Sequence, residues 1–250
     1  MSFVRVEDRD GITLAILDRP PANAISSDVI AQLSELLRKK TDASGVVIAS
    51  SLPTIFSAGW DLPYVLELDR PAMEAFVERF CDLVRQIFTF SPPVIAALPG
   101  HAIAGGLIVA AAADERWAGE GQGKFGLSEV LLGVPVPECC LELFRHVIGF
   151  RAAERLASTG ENVSLVAASS MGLVDRVVAP GDLVEKAIER ARELAKLPVS
   201  AYSAIKHRAR AAALARFDQA RKGDPFLDFW FRREARDRIR ALVEKLHKKN

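Results

Sequence analysis

The sequence predicts an α/β fold, and three observations carry that prediction. Apolar runs such as GVVIAS (45–50) and VIAAL (94–98) are unbroken rather than alternating, the pattern of strands covered on both faces. Between them lie longer stretches with apolar residues at helical spacing, so strand and helix signals alternate and argue for parallel strands joined by helical crossovers. From about Gly181 onward the strand signal stops and only helical periodicity remains. The expected organisation is a mixed body over residues 1–195 and a helical C-terminal region over 196–250.

Residues 2–7 and 11–18 are rich in β-branched side chains and flank Asp8 to Gly11, which predicts a hairpin. In RPPANAIS (19–26) two prolines hold the backbone extended. Ser26 or Ser27 then caps a helix with Val29, Ile30, Leu33, Leu36 and Leu37 on one face. After the strand at 45–50, SLPTIFSAGWDLPYV (51–65) reads as a loop. A helix is expected from Arg70 to Phe90, with Phe76, Phe80, Leu83, Val84 and Ile87 on one side, ended by Ser91-Pro92-Pro93. The strand at 94–98 leads through a Gly-rich turn into a small-residue helix after Gly100. Strands are expected near Glu115 to Ala118 and Gly123 to Gly126. A helix over 150–160 stops at Gly160, and a helix over Ala167 to Met171 leads to a strand over 172–179. Tail helices are expected over Asp182 to Lys196, Ser200 to about Leu214, and Pro225 to Lys248. A tail of about seventy residues is too thin for its own core, so it must pack on the body, on another subunit, or on both. Phe226, Phe229, Trp230 and Phe231 supply its apolar surface.

The 250 residues are 50% hydrophobic, enough for a full core, and carry 33 basic against 32 acidic residues. That balance gives no general attraction to nucleic acid or anionic membrane, although the C-terminal third is Lys/Arg-rich. Three cysteines, Cys81, Cys139 and Cys140, do not make a disulfide framework and suit buried apolar positions. A reducing, cytoplasmic compartment is expected. The charged, strand-like start MSFVRVEDRDG predicts no signal peptide, and the weakly polar run from Ala102 to Ala113 is too short to span a bilayer. His101, His146, His207 and His247 show no metal-ligand spacing, so no metal is expected.

The stretch from Pro99 to Glu129 carries the chemistry. His101-Ala-Ile-Ala-Gly105-Gly106 precedes an Ala-rich run read as a helix, whose first N–H groups have no internal partner and favour developing negative charge. The same small residues also suit tight helix packing, and their spacing is not a dinucleotide fingerprint. In FSAGWDL (56–62) the Trp60 N–H follows a pivot at Gly59 and can be turned into a cavity, while Asp61 reads as a cap of the next turn. Glu129 stands between Leu127 and Val130-Leu131-Leu132, where desolvation would raise a carboxyl toward the range of a general base. By itself such a glutamate reads rather as a surface residue at a strand or turn edge, the commoner fate of glutamates. Ser57 and Ser128 lie nearby without the base pattern of a nucleophile.

Together RPPANAIS, GVVIAS, FSAGWDL, PVIAALPGHAIAGG, FGLSEVLLG, IGFRAAERLASTG and AASSMGLVDRVV resemble, in order and spacing, the crotonase (enoyl-CoA hydratase/isomerase) superfamily over nearly the whole chain. The resemblance implies a crotonase-like β-β-α superhelix with a helical C-terminal oligomerisation region, assembled as a homotrimer or a dimer of trimers. It implies an acyl-CoA substrate and no cofactor. It assigns the oxyanion hole to the N–H groups of Trp60 and Gly105 and proton transfer to Glu129. It puts substrate and CoA contacts at Ala22, Ala24, Ala58, Gly59, Asp61, Leu62 and Ser128, and makes tail bases such as Lys206 candidates for the CoA phosphates.

Family hydratases use two carboxylates. One matches Glu129; the other falls on Ile108, a hydrocarbon that cannot hold water. The resemblance then implies a 1,3-proton shift, in which Glu129 takes a C2 proton from a 3-enoyl-CoA and returns it at C4. This pattern is similar to the mitochondrial-type Δ3,Δ2-enoyl-CoA isomerases, down to the C-terminal DFWFRREARDRIRALVEKL. Glu138 is the candidate second carboxylate that would restore a hydratase or another acyl-CoA lyase, although it also reads as a charge at a helix start. A catalytically silent CoA-binding homologue is the rival from another class. An RNA-binding homologue would need a coherent basic face, which the charge balance does not supply.

Overall fold

In the computed structural model, which describes residues 2–40 and 43–247, an antiparallel hairpin opens the fold with β1 (Val4–Arg9) and β2 (Ile12–Leu17). Asp10 and Gly11 turn it with φ of 57° and 84°, the left-handed pair whose twist matches that of the flanking strands. α1 (Ser27–Lys39) follows and buries Val29, Ile30, Leu33, Leu36 and Leu37, the face expected from their spacing.

A unit of two strands and a helix then recurs. β3 (Gly45–Ser50) and β4 (Ile55–Ser57) precede α2 (Leu62–Leu66) and α3 (Arg70–Thr89). β5 (Val94–Leu98) and β6 (His101–Ile103) precede α4 (Gly105–Ala111). β7 (Glu115–Gly119) and β8 (Lys124–Gly126) precede a 3-10 turn at Glu129–Leu132 and α5 (Glu138–Ile148). The first strand of each unit enters a sheet ordered β1-β2-β3-β5-β7-β10, and the second enters a smaller sheet ordered β4-β6-β8-β9. Pairing between units is parallel, with Val46 opposite Val94, Ile95 opposite Glu115, and Ala102 opposite Phe125. α6 (Phe150–Thr159), β9 (Asn162–Ser164), α7 (Leu165–Ser170) and β10 (Arg176–Val178) complete this body, which is the β-β-α superhelix of the resemblance. β4, β6 and β9 were not among the expected strands; three residues each are too few to show a period.

α8 (Leu183–Ala195) covers the outer face of the larger sheet, packing Leu183, Ala187, Ile188 and Ala191 on Ile12, Leu14, Val47, Ile95 and Trp117. α9 (Val199–Ala220) runs past the expected end at Leu214 because Phe217 is drawn into the main core. The helix expected from Pro225 to Lys248 is two helices, α10 (Phe226–Trp230) and α11 (Arg233–His247), and Lys248 lies outside the described residues. One straight rod could not do both jobs required here. Phe226 and Trp230 enter the core, whereas α11 turns back along α2, where Arg236 donates to the Leu66 carbonyl at 2.7 Å.

Lys206 corrects an expectation. It is buried and donates to Asp114 Oδ2 at 2.8 Å and to the Pro92 carbonyl at 3.2 Å, while Arg210 holds Asp114 Oδ1 at 2.7 Å. Burial pushes its amine down to about 8 against the pull of Asp114. Its charge ties α9 to the body and does not reach a phosphate. Among the described residues no helix is long and apolar enough to cross a membrane.

Candidate active site

Two distant segments are zipped together to make one wall of the site. Ile25 N donates to Gly59 O at 2.8 Å and Asp61 N to Ile25 O at 2.9 Å, while Ala58 N donates to Ala22 O at 3.0 Å. Successive groups on an extended strand alternate in direction, so the Trp60 N–H between those two bonds points away from Ile25. Asn23 and Ser57 hold the pair from behind. Asn23 Nδ2 reaches Ser50 Oγ and the Phe56 carbonyl, and Ser57 Oγ donates to the Asn23 carbonyl at 2.8 Å. Asp61 caps α2, accepting from Tyr64 N at 3.3 Å, and is ion-paired with Arg19.

Against this wall lies the start of α4. Ala104 has φ 48° and ψ −126°, a region that costs a residue with a Cβ about 1–3 kcal/mol and is held only when its surroundings enforce it. That twist presents the Gly105 amide at the head of the helix. Gly105 must be glycine, since a Cβ there would sit 2.8 Å from Trp60 Cδ1. Gly59 is held by its φ of 96°, and a Cβ on it would lie 3.3 Å from Gly105 N. The two loops therefore touch, and among the described residues neither the Trp60 nor the Gly105 amide donates to any acceptor.

The two loops open together onto a cleft of about 320 Å³. Ala22, Ala24, Ala58, Trp60, Asp61, Leu62, Gly105, Ser128 and Glu129 all line it, and Gly59 is buried directly behind. Glu129 opens the 3-10 turn that Gly133 closes at φ 78°. Its side chain as a whole is half-buried, but Oε2 is shielded from solvent and has no hydrogen-bond partner among the described residues. Desolvation raises this carboxyl from 4.5 to about 7, opposed weakly by a bond from its own main chain.

Ile108, by contrast, is buried in the core of α4 and does not line the cleft. Glu138 does not line it either. Its side chain is 52% exposed at the start of α5 and faces Arg145 at 3.9 Å, so the structure does not bring it to Glu129 as the second carboxylate considered from the sequence. The sequence reading missed the apolar end of the cleft, formed by Leu132, Val134, Pro137, Phe226, Trp230, Leu242 and Leu246. The aromatic run at 226–231 was the one available signal, and it showed burial without a destination. Phe76 and Phe80 of α3 pack against Trp60 in T-shaped contacts, ring centroids 5.1 and 5.3 Å away, and fix the indole.

A family model described as enoyl-CoA hydratase/isomerase matches residues 7–248. A probable enoyl-CoA hydratase of Mycobacterium avium (strain 104) is 33% identical over 200 residues, which are 78% of this chain and 77% of that one. The mitochondrial enoyl-CoA delta isomerase 1 of Mus musculus is 27% identical over 253 residues, 99% of this chain and 88% of that one. The crystal structure of human mitochondrial delta3-delta2-enoyl-CoA isomerase superposes with a TM-score of 0.93 at 25% identity, covering 100% of both chains. With a family model matched over residues 7–248 and a two-sheet superhelix that superposes on a crotonase-fold enzyme, the chain belongs to the enoyl-CoA hydratase/isomerase family.

Proposed function

We propose that this enzyme moves the double bond of an enoyl-CoA from the 3- to the 2-position, with Glu129 carrying the proton in both directions. The observation that carries the reading is the state of Glu129, a desolvated carboxyl raised to about 7 with a partnerless oxygen, across a cleft from two unengaged amides. Glu129 takes the C2 proton, the electrons move onto the thioester oxygen, and the N–H groups of Trp60 and Gly105 stabilise that oxyanion. Each such donor is worth roughly 3–4 kcal/mol in the transition state. The same Glu129 then delivers its proton to C4. The CoA thioester is the substrate, held along Ala22, Ala24 and residues 58–62 with Ser128 at the rim, and the chemistry asks for no cofactor.

Water addition calls for a second carboxylate to hold and orient the water. Asp61, the other carboxylate lining the cleft, is occupied as a cap and an ion-pair partner of Arg19. The reading carries with it a homotrimer or dimer of trimers in the cytoplasm. Leu197, Val199 and Ile205, 47%, 59% and 68% exposed at the α8–α9 corner, favour assembly through the helical region. The test is a panel of 2-enoyl- and 3-enoyl-CoA thioesters assayed for hydration and for isomerisation. Isomerisation lost in Glu129→Gln with folding intact is the expected result. Hydration of a 2-enoyl-CoA faster than isomerisation of its 3-enoyl counterpart overturns it.

A further inference from the structure

All three cysteines of the chain meet at one point. Cys81 lies on α3, and Cys139 and Cys140 lie in the first turn of α5. Cys139 Sγ is 3.2 Å from Cys81 Sγ and 3.9 Å from Cys140 Sγ, and the three sulfurs lie within 4.8 Å of one another. All are buried and none is bridged. A thiolate sulfur sits about 2.3 Å from a bound ion, so an ion in the plane of three sulfurs needs them about 4 Å apart. The Cys139–Cys140 separation meets that value, the Cys81–Cys139 approach is shorter, and all three sulfurs stay within 4.8 Å of one another. Among the described residues no further Cys, His or carboxylate joins the group. Zinc, which takes four ligands, would lack one here, whereas soft ions accept thiolates alone.

We propose that Cys81, Cys139 and Cys140 form a three-coordinate thiolate site for a soft, thiophilic ion, of the class of monovalent copper or trivalent arsenic. Each sulfur that binds gives up its proton, to solvent where copper binds and to a departing hydroxide where arsenous acid does. Arsenic arriving as arsenous acid releases three waters and leaves a neutral triad, with no change of oxidation state. Monovalent copper leaves negative charge in the core, which the Arg221 guanidinium offsets in part. Arg221 acts electrostatically on both Cys81 and Cys139 and pairs with Asp82 at 2.6 Å. The bound ion ties α3 to α5 behind the cleft. Phe80, next to Cys81, packs on Trp60, and Pro137, two residues before Cys139, lines the cleft. The site stands independently of the isomerase reading.

The test titrates the reduced protein with monovalent copper, arsenite or Zn2+, both as folded and refolded from denaturant with the ion present, so that access to the core does not decide the result. One equivalent of copper or arsenite is expected, protecting three thiols from alkylation, with X-ray absorption showing three sulfurs near 2.3 Å. The thermal midpoint should rise by about 5 °C at saturation, and Zn2+ should bind at least tenfold more weakly. Binding by one of the two soft ions alone assigns the site to that ion. Cys140→Ala and Cys81→Ala should each weaken binding tenfold or more, and the wild-type sulfur count stands whether or not both variants fold. Failure of both soft ions to bind after refolding, unchanged affinity in folded alanine variants, or Zn2+ binding as tightly as copper overturns the proposal.

Discussion

Replacing Glu129 by glutamine separates its chemistry from its cost to the fold. Below its ordinary value of 4.5 the carboxyl is protonated in both the folded and unfolded chains and carries no penalty. Between 4.5 and about 7 the unfolded chain ionises while the folded one does not, so stability falls as pH rises through this window. At pH 8 the accumulated penalty is about 3 kcal/mol, and at pH 5 it is under about 1 kcal/mol. Glutamine cannot ionise and escapes it. Its amide, left without a partner, costs about 1–3 kcal/mol at every pH, so the informative quantity is the difference between the two pH values. Relative to wild type, Glu129→Gln should gain roughly 2–3 kcal/mol on going from pH 5 to pH 8, a relative rise of about 5–10 °C in thermal midpoint for a chain of this size. Circular dichroism melts of both proteins at the two pH values measure it. A midpoint difference that does not change with pH would refute the placement of this carboxyl in a desolvated site. Over the same range the wild-type isomerisation rate should climb with a midpoint near 7, because only the ionised carboxylate accepts a proton, and the variant should lose on the order of 10²–10⁴ in rate.

Three further outcomes are expected. Glu138→Gln should leave turnover within about twofold, since that side chain faces Arg145 rather than the cleft; a loss of tenfold or more would return the two-carboxylate hydratase as the better reading. Gly105→Ala would put a Cβ 2.8 Å from Trp60 Cδ1, displacing the indole and with it one oxyanion donor, so kcat should fall about 10²–10³-fold with the far-UV spectrum unchanged. A rate close to wild type would show that these amides do not hold the thioester oxygen. Asp114→Ala should cost about 3–5 kcal/mol in urea unfolding, because it leaves Lys206 and Arg210 as neighbouring charges in the core; a cost below about 1 kcal/mol would mean that water relieves them.

Much of this fold is written locally. The buried strands at 45–50 and 94–98 follow from unbroken apolar runs, and the five-residue face of α1 and the long α3 follow from a period of 3.6. The motif residues of the cleft were legible for a similar reason, since RPPANAIS, FSAGWDL and the Gly pair each need unusual backbone that few residue types tolerate. Their partners were not. That Gly59 meets Gly105 and that the Trp60 amide faces away from Ile25 depends on pairings such as that between the three-residue strands β4 and β6, too short to announce themselves. Sequence by itself determined which elements form and which residues carry rare chemistry, because those choices are settled by neighbours a few positions away. Only the tertiary structure decided that Glu129 loses its water, that Lys206 is consumed by Asp114, that Trp230 floors the cleft and that three cysteines converge. Burial and charge pairing are set by segments tens of residues apart, and no local period encodes which of them will meet.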